Sequence, residues 1–140
     1  MSDSHLFKLA RECSFKSDYR GCASARIGTV VVYKHAVLAK GYNSDKTHTT
    51  QARYNCWRYK NSGNNYLPEK IHSEIMALEK IKYLDIDFSK VHLYIYRETK
   101  RGKIAMARPC PACMARIKAL GIINIHYTTE QGYASEYLRY

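Results

Sequence analysis

The sequence lacks the features that place a protein in or across a membrane. None of its apolar runs approaches the roughly 20 residues that a spanning helix needs. Its opening stretch, "MSDSHLFKLAREC", lacks the basic-then-apolar pattern of a signal peptide. The chain also has no internal repeat and no low-complexity tract. Its 140 residues suit one domain, so we expect a single cytoplasmic domain over residues 1–140 with no membrane partner.

Acidic residues are scarce as well. The chain has 12 of them against 23 lysines and arginines, which gives a formal net charge of +11. Positive potential of this size attracts phosphorylated substrates or polyanions. A solvated basic surface without a specific partner would carry the same charge, so composition alone leaves the partner open.

Cysteines number five, and an odd count argues against a framework of disulfides. Cys110 and Cys113 stand three apart in "RPCPACMARIKALG", so their side chains share one face of a helix. Pro109 and Pro111 suit a first helical turn, where no intrahelical bond needs their missing N–H. The positive helix N-terminus stabilises thiolates. Such a pair can bind a metal, act as a redox couple or arise by chance.

The hydrophobic pattern predicts an α/β protein with a mixed five-stranded sheet. Helices are expected at 4–16, 50–60, 71–84 and from residue 110 to a C-cap at Gly121; strands are expected at 27–33, 36–42, 90–98, 123–129 and 133–138. Alternation of strands and helices after residue 70 favours parallel strands. The last two strands are too close for a crossover, so they form a C-terminal antiparallel hairpin. A polar stretch at about 44–70 is predicted as a functional or mobile insert.

A third metal ligand for the cysteine pair is available in "IHSEIMAL", where His72 and Glu74 begin the strongest predicted helix. Both side chains reach one centre only if this helix points its N-terminal end at it. His72 and the two cysteines then supply three nitrogen and sulfur ligands and leave one position open, which is typical of catalytic zinc. Glu74 would be a spare carboxylate, placed to move protons.

The motifs "HSE" at 72–74 and "PCPAC" at 109–113 resemble those of the cytidine deaminase superfamily. The order of elements is similar from about residue 5 to residue 138. The resemblance implies a three-layer α/β/α fold, which often assembles into homo-oligomers, and Zn2+ bound by His72 and the two cysteines. It also implies that Glu74 carries a proton from the attacking water to the cytosine ring and then to the departing amine.

The same resemblance implies contacts with the substrate. Asn43, which follows the second strand in "GYNS", would meet the sugar, although an asparagine there also suits a plain turn. Ala107 and Arg108 would line the pocket, and so would Ser73, a position where the family more often has alanine.

Three sizes of substrate compete: a free nucleoside, a free nucleotide and a polynucleotide. The terminal hairpin resembles that of nucleoside enzymes, whereas "GYNS" and "RPCPACMARIKALGI" resemble short deoxycytidylate deaminases. We give the motifs more weight. The leading interpretation is hydrolytic conversion of cytosine to uracil in a (deoxy)cytidine nucleotide.

The alternative is a cytosine deaminase that edits single-stranded DNA or RNA. Cations and aromatics alternate in "QARYNCWRYK", and cations crowd "RETKRGK", patterns that can bind bases and phosphates. The candidate contacts are Arg53, Trp57, Arg58, Lys100 and Arg101; packing of the insert would also explain the aromatics, and a solvated loop would also explain the basic turn. A non-catalytic zinc module or a redox protein fits less well, because neither needs Glu74. A second zinc at His48 and Cys56 would lack further ligands.

Overall fold

A mixed five-stranded sheet forms the centre of the protein. The computed structural model describes residues 2–18, 25–57 and 70–139. The strands lie in the order β2-β1-β3-β4-β5, and only β3 and β4 are parallel. They are β1 (Arg26–Tyr33), β2 (Ala36–Tyr42), β3 (Val91–Glu98), β4 (Asn124–Thr129) and β5 (Gly132–Tyr137). The mixed sheet and its C-terminal antiparallel hairpin confirm the prediction.

Helices cover both faces of this sheet. They are α1 (Asp3–Ser14), α2 (Thr49–Tyr54), α3 (Ser73–Glu79) and α4 (Pro111–Leu120), with a short 3₁₀ helix at Phe88–Lys90. Leu6, Phe7 and Ala10 of α1 pack against one face, beside Val30 and Tyr94. The aliphatic side chains of α3 and α4 pack against the other face. The protein therefore has the three α/β/α layers that were predicted.

Local chemistry explains where the helices lie. Gly121 ends α4 in the left-handed region, with φ of 89°, where glycine carries no steric penalty. Gly41 of β2 lies against the start of α3, and a Cβ at this position would approach the Ser73 carbonyl oxygen to 2.2 Å. The missing side chain thus allows α3 to reach the sheet closely at its N-terminal end.

Two helices are shorter than predicted. α3 begins one residue after His72 and ends at Glu79 rather than at residue 84. Beyond it, backbone bonds from Ile81 N to Leu78 O (3.1 Å) and from Leu84 N to Ile81 O (3.0 Å) form tighter turns that still bury Ile81. The apolar stripe therefore continues where the α-helix does not. Of the predicted helix at 50–60, α2 accounts for the residues up to Tyr54; after a turn at Asn55 the chain is helical again at residues 56 and 57, and residues 58–69 lie outside the described part of the chain.

Among the residues that the structure describes, no helix is long and apolar enough to cross a membrane.

Candidate metal centre

Two helix N-termini converge at the candidate metal centre. His72 is the N-cap residue of α3 and Cys110 is the N-cap residue of α4, and neither side chain caps its own helix. Their backbone carbonyls accept the first helical bonds, from Met76 N at 3.0 Å and from Met114 N at 2.8 Å. The side chains are therefore free of the usual capping role, and both point to a common centre with Cys113.

The three side chains form what we call the ligand cluster (His72, Cys110 and Cys113). His72 Nδ1 lies 3.5 Å from Cys110 Sγ and 3.3 Å from Cys113 Sγ, and all three atoms lie within 4.8 Å of one another. Zinc bonds of about 2.0–2.1 Å to nitrogen and about 2.3 Å to sulfur at a tetrahedral angle imply an N···S separation of about 3.6 Å. The spacing and the nitrogen and sulfur donors therefore fit zinc.

The two thiols have opposite acid–base behaviour. Complete burial raises the pKa of Cys113 well above its ordinary value. The hydrogen bond with Cys113, supported by one with His72, lowers the pKa of Cys110 to about 4. The Cys110 thiol therefore loses its proton more readily than the Cys113 thiol. Because zinc binds thiolates, metal binding releases the protons that the two thiols still hold.

Glu74 lies next to the ligand cluster and is only 5% exposed. Its carboxylate interacts with the Cys113 thiol. Ser73 Oγ donates to Glu74 Oε1 at 2.7 Å and lies 2.8 Å from Thr29 Oγ1. Because a carboxylate only accepts, the Ser73 proton belongs to Glu74, and Thr29 donates to Ser73. A buried chain of two hydroxyls thus fixes the position of the carboxylate.

The remaining candidates for substrate contacts occupy different surroundings. Asn43 is buried; its Oδ1 accepts from Ile27 N at 3.0 Å and its Nδ2 donates to Ala25 O at 2.9 Å. Ala107 is buried, and its N–H bonds to a carbonyl of β4. Ser73 is fully buried in the hydroxyl chain described above. Contacts of these three residues with a substrate stay predictions.

Arg108 lies at the surface beside the ligand cluster. Its Nε and NH2 donate to the two carboxylate oxygens of Glu136, at 2.8 and 3.3 Å, and this hydrogen bond raises the pKa of Arg108. A cleft of about 520 Å³ separates it from Trp57. The cleft is also lined by Lys118 and by apolar residues of the cysteine motif, Pro109, Pro111, Met114 and Ala115. Two candidates from distant parts of the sequence, Arg108 and Trp57, thus share one cleft.

The other candidate cations are placed elsewhere. Arg53 is exposed on α2, and Lys100 and Arg101 lie in an exposed turn closed by a bond from Gly102 N to Thr99 O; none of them lines this cleft. Arg58 lies outside the described residues.

A second zinc site at His48 and Cys56 has no support in the described part of the chain. His48 Nδ1 accepts from Thr50 N at 3.1 Å and so caps α2, while Cys56 is exposed. Within residues 2–18, 25–57 and 70–139, the ligand cluster is the one group of three or more potential metal ligands.

Sequence reasoning missed Gln51. This side chain is fully buried on α2; its Oε1 accepts from His72 N at 3.0 Å, and its Nε2 donates to Asn55 Oδ1 at 2.9 Å. Glutamine in a polar insert normally faces solvent. Nothing in the residue pattern distinguished Gln51 from its neighbours.

Comparison with known proteins agrees with this geometry. The sequence model described as "Cytidine and deoxycytidylate deaminase zinc-binding region" matches residues 1–129. The chain belongs to this family. Zinc is therefore the cofactor that the ligand cluster accommodates. No curated protein matches the chain significantly.

Solved structures of deaminases share the fold. The dCMP deaminase of cyanophage S-TIM5 in apo form is 20% identical, with a TM-score of 0.58 over 91% of this chain and 82% of that one. The cytidine deaminase of Burkholderia pseudomallei is 15% identical, with a TM-score of 0.65 over 98% and 93%. The guanine deaminase of Bacillus subtilis is 18% identical, with a TM-score of 0.56 over 92% and 65%. At such identities the likeness shows the fold alone.

Proposed function

We propose that this deaminase family member hydrolyses cytosine to uracil in a (deoxy)cytidine nucleotide. The observation that carries the proposal is the buried Glu74 carboxylate, held by Ser73 beside the ligand cluster. A structural zinc site needs no such carboxylate, whereas hydrolysis needs a group that moves protons.

Glu74 acts as the proton carrier in the proposed reaction. Zinc bound by His72, Cys110 and Cys113 would lower the pKa of water, so that hydroxide would be available at neutral pH. Glu74 accepts a proton from the attacking water and delivers it to the ring nitrogen. It then takes the remaining proton of that water, which is on the new hydroxyl at C4, and delivers it to the amino group. The C4–N bond breaks, ammonia leaves and the carbonyl of uracil forms. Ser73 keeps the carboxylate aimed at the reacting atoms throughout.

A nucleotide is the proposed substrate because the chain is strongly basic and carries cations beside the centre. Arg108 borders the loop that presents Cys110, and the chain has a formal charge of +11. The S-TIM5 dCMP deaminase was crystallised with dCMP and dUMP. We assign the sugar contact to Asn43, which retains one N–H beyond the two bonds described above. Cytoplasmic location and homo-oligomeric assembly belong to the same proposal.

A panel of substrates tests this function. The zinc-loaded protein is incubated with dCMP, CMP, deoxycytidine, cytosine and guanine, and ammonia release is measured together with the ultraviolet spectrum of each base. We expect turnover of dCMP or CMP that exceeds turnover of the nucleoside and the bases, and that stops when a chelator removes zinc. Turnover of guanine alone would contradict the assignment of a cytosine ring.

Editing of single-stranded nucleic acid is the second candidate, favoured by the cleft between Trp57 and Arg108. Trp57 is 46% exposed there and Lys118 adds a second cation, a combination that can stack a base and hold a phosphate. A cytosine-containing oligonucleotide in the same panel decides between the two. Turnover of the oligonucleotide alone, with steep inhibition by salt, would replace the free nucleotide as the substrate.

A further inference from the structure

The backbone N–H of His72 has an unusual partner. At many helix starts, the residue three positions after the N-cap is Glu or Gln, and its side chain accepts the N-cap N–H. In α3 this position holds Ile75, which is apolar and fully buried. Gln51 of α2 supplies the missing acceptor, with its Oε1 3.0 Å from His72 N.

Gln51 is itself held firmly. It is 0% exposed, and its amide donates to Asn55 Oδ1 at 2.9 Å, so the oxygen that faces His72 cannot exchange places with the nitrogen without losing both bonds. Asn55 is also fully buried, and its N–H bonds to the Gln51 carbonyl at 3.0 Å. Both ends of the glutamine amide are therefore used within the protein.

The helix that carries Gln51 contacts both of the helices that present metal ligands. Gln51 meets the start of α3, and the ring of Tyr54 lies 5.7 Å from the Arg116 guanidinium of α4. Arg116 NH2 in turn lies 3.8 Å from Glu79 Oε1 at the end of α3. Consequently α2 contacts both of the helices whose N-terminal ends carry the ligand cluster.

We propose that Gln51 is a positioning residue for zinc, which holds the His72 backbone so that its imidazole meets the two cysteines. Without the acceptor, the part-buried N–H of His72 is left unsatisfied, which is costly. The chain at His72 then turns to find another partner, and this turn carries Nδ1 away from the sulfur atoms. The insert thereby contributes to the metal centre, whatever base the enzyme deaminates.

Zinc affinity tests this role directly. Gln51→Met keeps the length of the side chain and removes the acceptor. Gln51→Glu keeps the acceptor oxygen, and in the neutral acid form, which burial favours, its second oxygen donates to Asn55 Oδ1. Affinity is measured by competition with a chromophoric chelator, and zinc-induced thermal shifts give a second readout. We expect Gln51→Met to weaken zinc binding by about 10–100-fold and Gln51→Glu to stay close to the wild type. Gln131→Met, in the exposed β4–β5 turn, is the matched control and should change nothing.

Activity separates positioning from a general loss of structure. At limiting zinc, Gln51→Met should lose dCMP turnover, and saturating zinc should restore it. Wild-type zinc affinity in a folded Gln51→Met variant would overturn the proposal, and so would equal losses in Gln51→Met and Gln51→Glu. Should Gln51→Met not fold, Gln51→Ser, which leaves room for solvent, takes its place under the same criteria. Because zinc binding is read without substrate, absence of deamination in the wild type would count against the proposed function alone.

Discussion

The two faces of the sheet are built from different chemistry. The face under α3 and α4 is aliphatic: Val31, Leu93, Ile95 and Ile125 are fully buried there. The face under α1 carries polar rings in the same strands, where His92 and Tyr94 alternate with Leu93 and Ile95. Strand β3 thus presents aliphatic side chains to α3 and α4 on one face, and hydrogen-bonding aromatic side chains to α1 on the other.

The polar rings form a connected network on the α1 face. Tyr94 Oη donates to Asp3 Oδ1 at 2.6 Å, and the Tyr94 ring stacks on His126 with centroids 4.3 Å apart. His126 is bonded to His92 at 2.9 Å and to Ser135 Oγ at 2.6 Å. Directional bonds therefore supplement packing on this face.

The metal centre lies on the aliphatic side of the sheet, and the difference between the two faces suggests a reason. On the aliphatic face of β1, Thr29 is a polar residue with no exposure, and its hydroxyl is committed to Ser73 and through it to Glu74. A close-packed apolar surface has little freedom to rearrange, so it holds the start of α3 and the ligand cluster in place. The ligand cluster and Glu74 thus lie on the face whose packing is mainly aliphatic.

The largest effect should come from Glu74→Gln. This substitution removes the carboxylate beside the ligand cluster and leaves the packing of the α3–α4 face intact. Loss of the proton carrier should lower kcat by about 10²–10⁴-fold, while zinc content and the unfolding midpoint stay near wild-type values. Steady-state kinetics, metal analysis and thermal unfolding check these three points. Retention of wild-type kcat would remove Glu74 from the mechanism.

A pair of neighbouring substitutions compares the faces themselves. Leu93→Ala opens a cavity in the aliphatic layer and should cost about 2–5 kcal/mol of unfolding free energy. Tyr94→Phe removes one hydrogen bond to Asp3 on the other face and should cost about 0.5–1.5 kcal/mol. Urea unfolding of zinc-saturated protein measures both. Equal costs would mean that the two layers do not differ in the way proposed.

The distinction between the faces also explains what the sequence could predict. Alternation in "KVHLYIYRE" predicted β3 and its buried aliphatic side, and the spacing of His72 with the cysteine pair predicted the ligand cluster. The strand is recognised by its local periodicity. The ligand cluster is recognised because closely spaced cysteines with a histidine are typical of metal sites. The bounds of the five strands could therefore be inferred to within one residue at each end, whereas the ends of α2 and α3 could not.

Contacts between distant polar residues could not be inferred in this way. The bonds of Gln51 to His72 and of Thr29 to Ser73 join segments that are 21 and 44 residues apart. Each of these side chains is an ordinary surface type when read in its own segment. Only the three-dimensional arrangement shows that both are buried and both support the metal centre.

A smaller effect is expected when the hydrogen bonds that link Thr29, Ser73 and Glu74 are broken. Ser73→Ala removes the donor to Glu74 and should lower kcat by about tenfold, the rate equivalent of about 1.4 kcal/mol, with KM and zinc content unchanged. The swapped variant Thr29→Ser with Ser73→Thr keeps both hydroxyls and the total volume, and should recover activity. An unchanged kcat in Ser73→Ala would show that packing alone positions Glu74.

The smallest effect concerns acid stability of the α1 face. Burial lowers the pKa of His92 and of His126, so folding favours the neutral form of both rings. Below a pH of about 6.5 the unfolded chain binds protons that the folded chain does not. Stability is therefore complete above that pH and declines as the pH falls towards the lowered folded values, although Asp3 opposes this shift.

Unfolding midpoints at pH 7.5 and 5.5 measure this decline. The double variant His92→Gln with His126→Gln should lose less stability on acidification than the wild type, because its side chains do not titrate. Zinc ligands are protonated in acid in both proteins alike, so the difference between them isolates the histidine pair. If both proteins lose the same stability, acid sensitivity belongs to the metal centre, and the polar network of the α1 face is as insensitive to pH as the aliphatic layer opposite it.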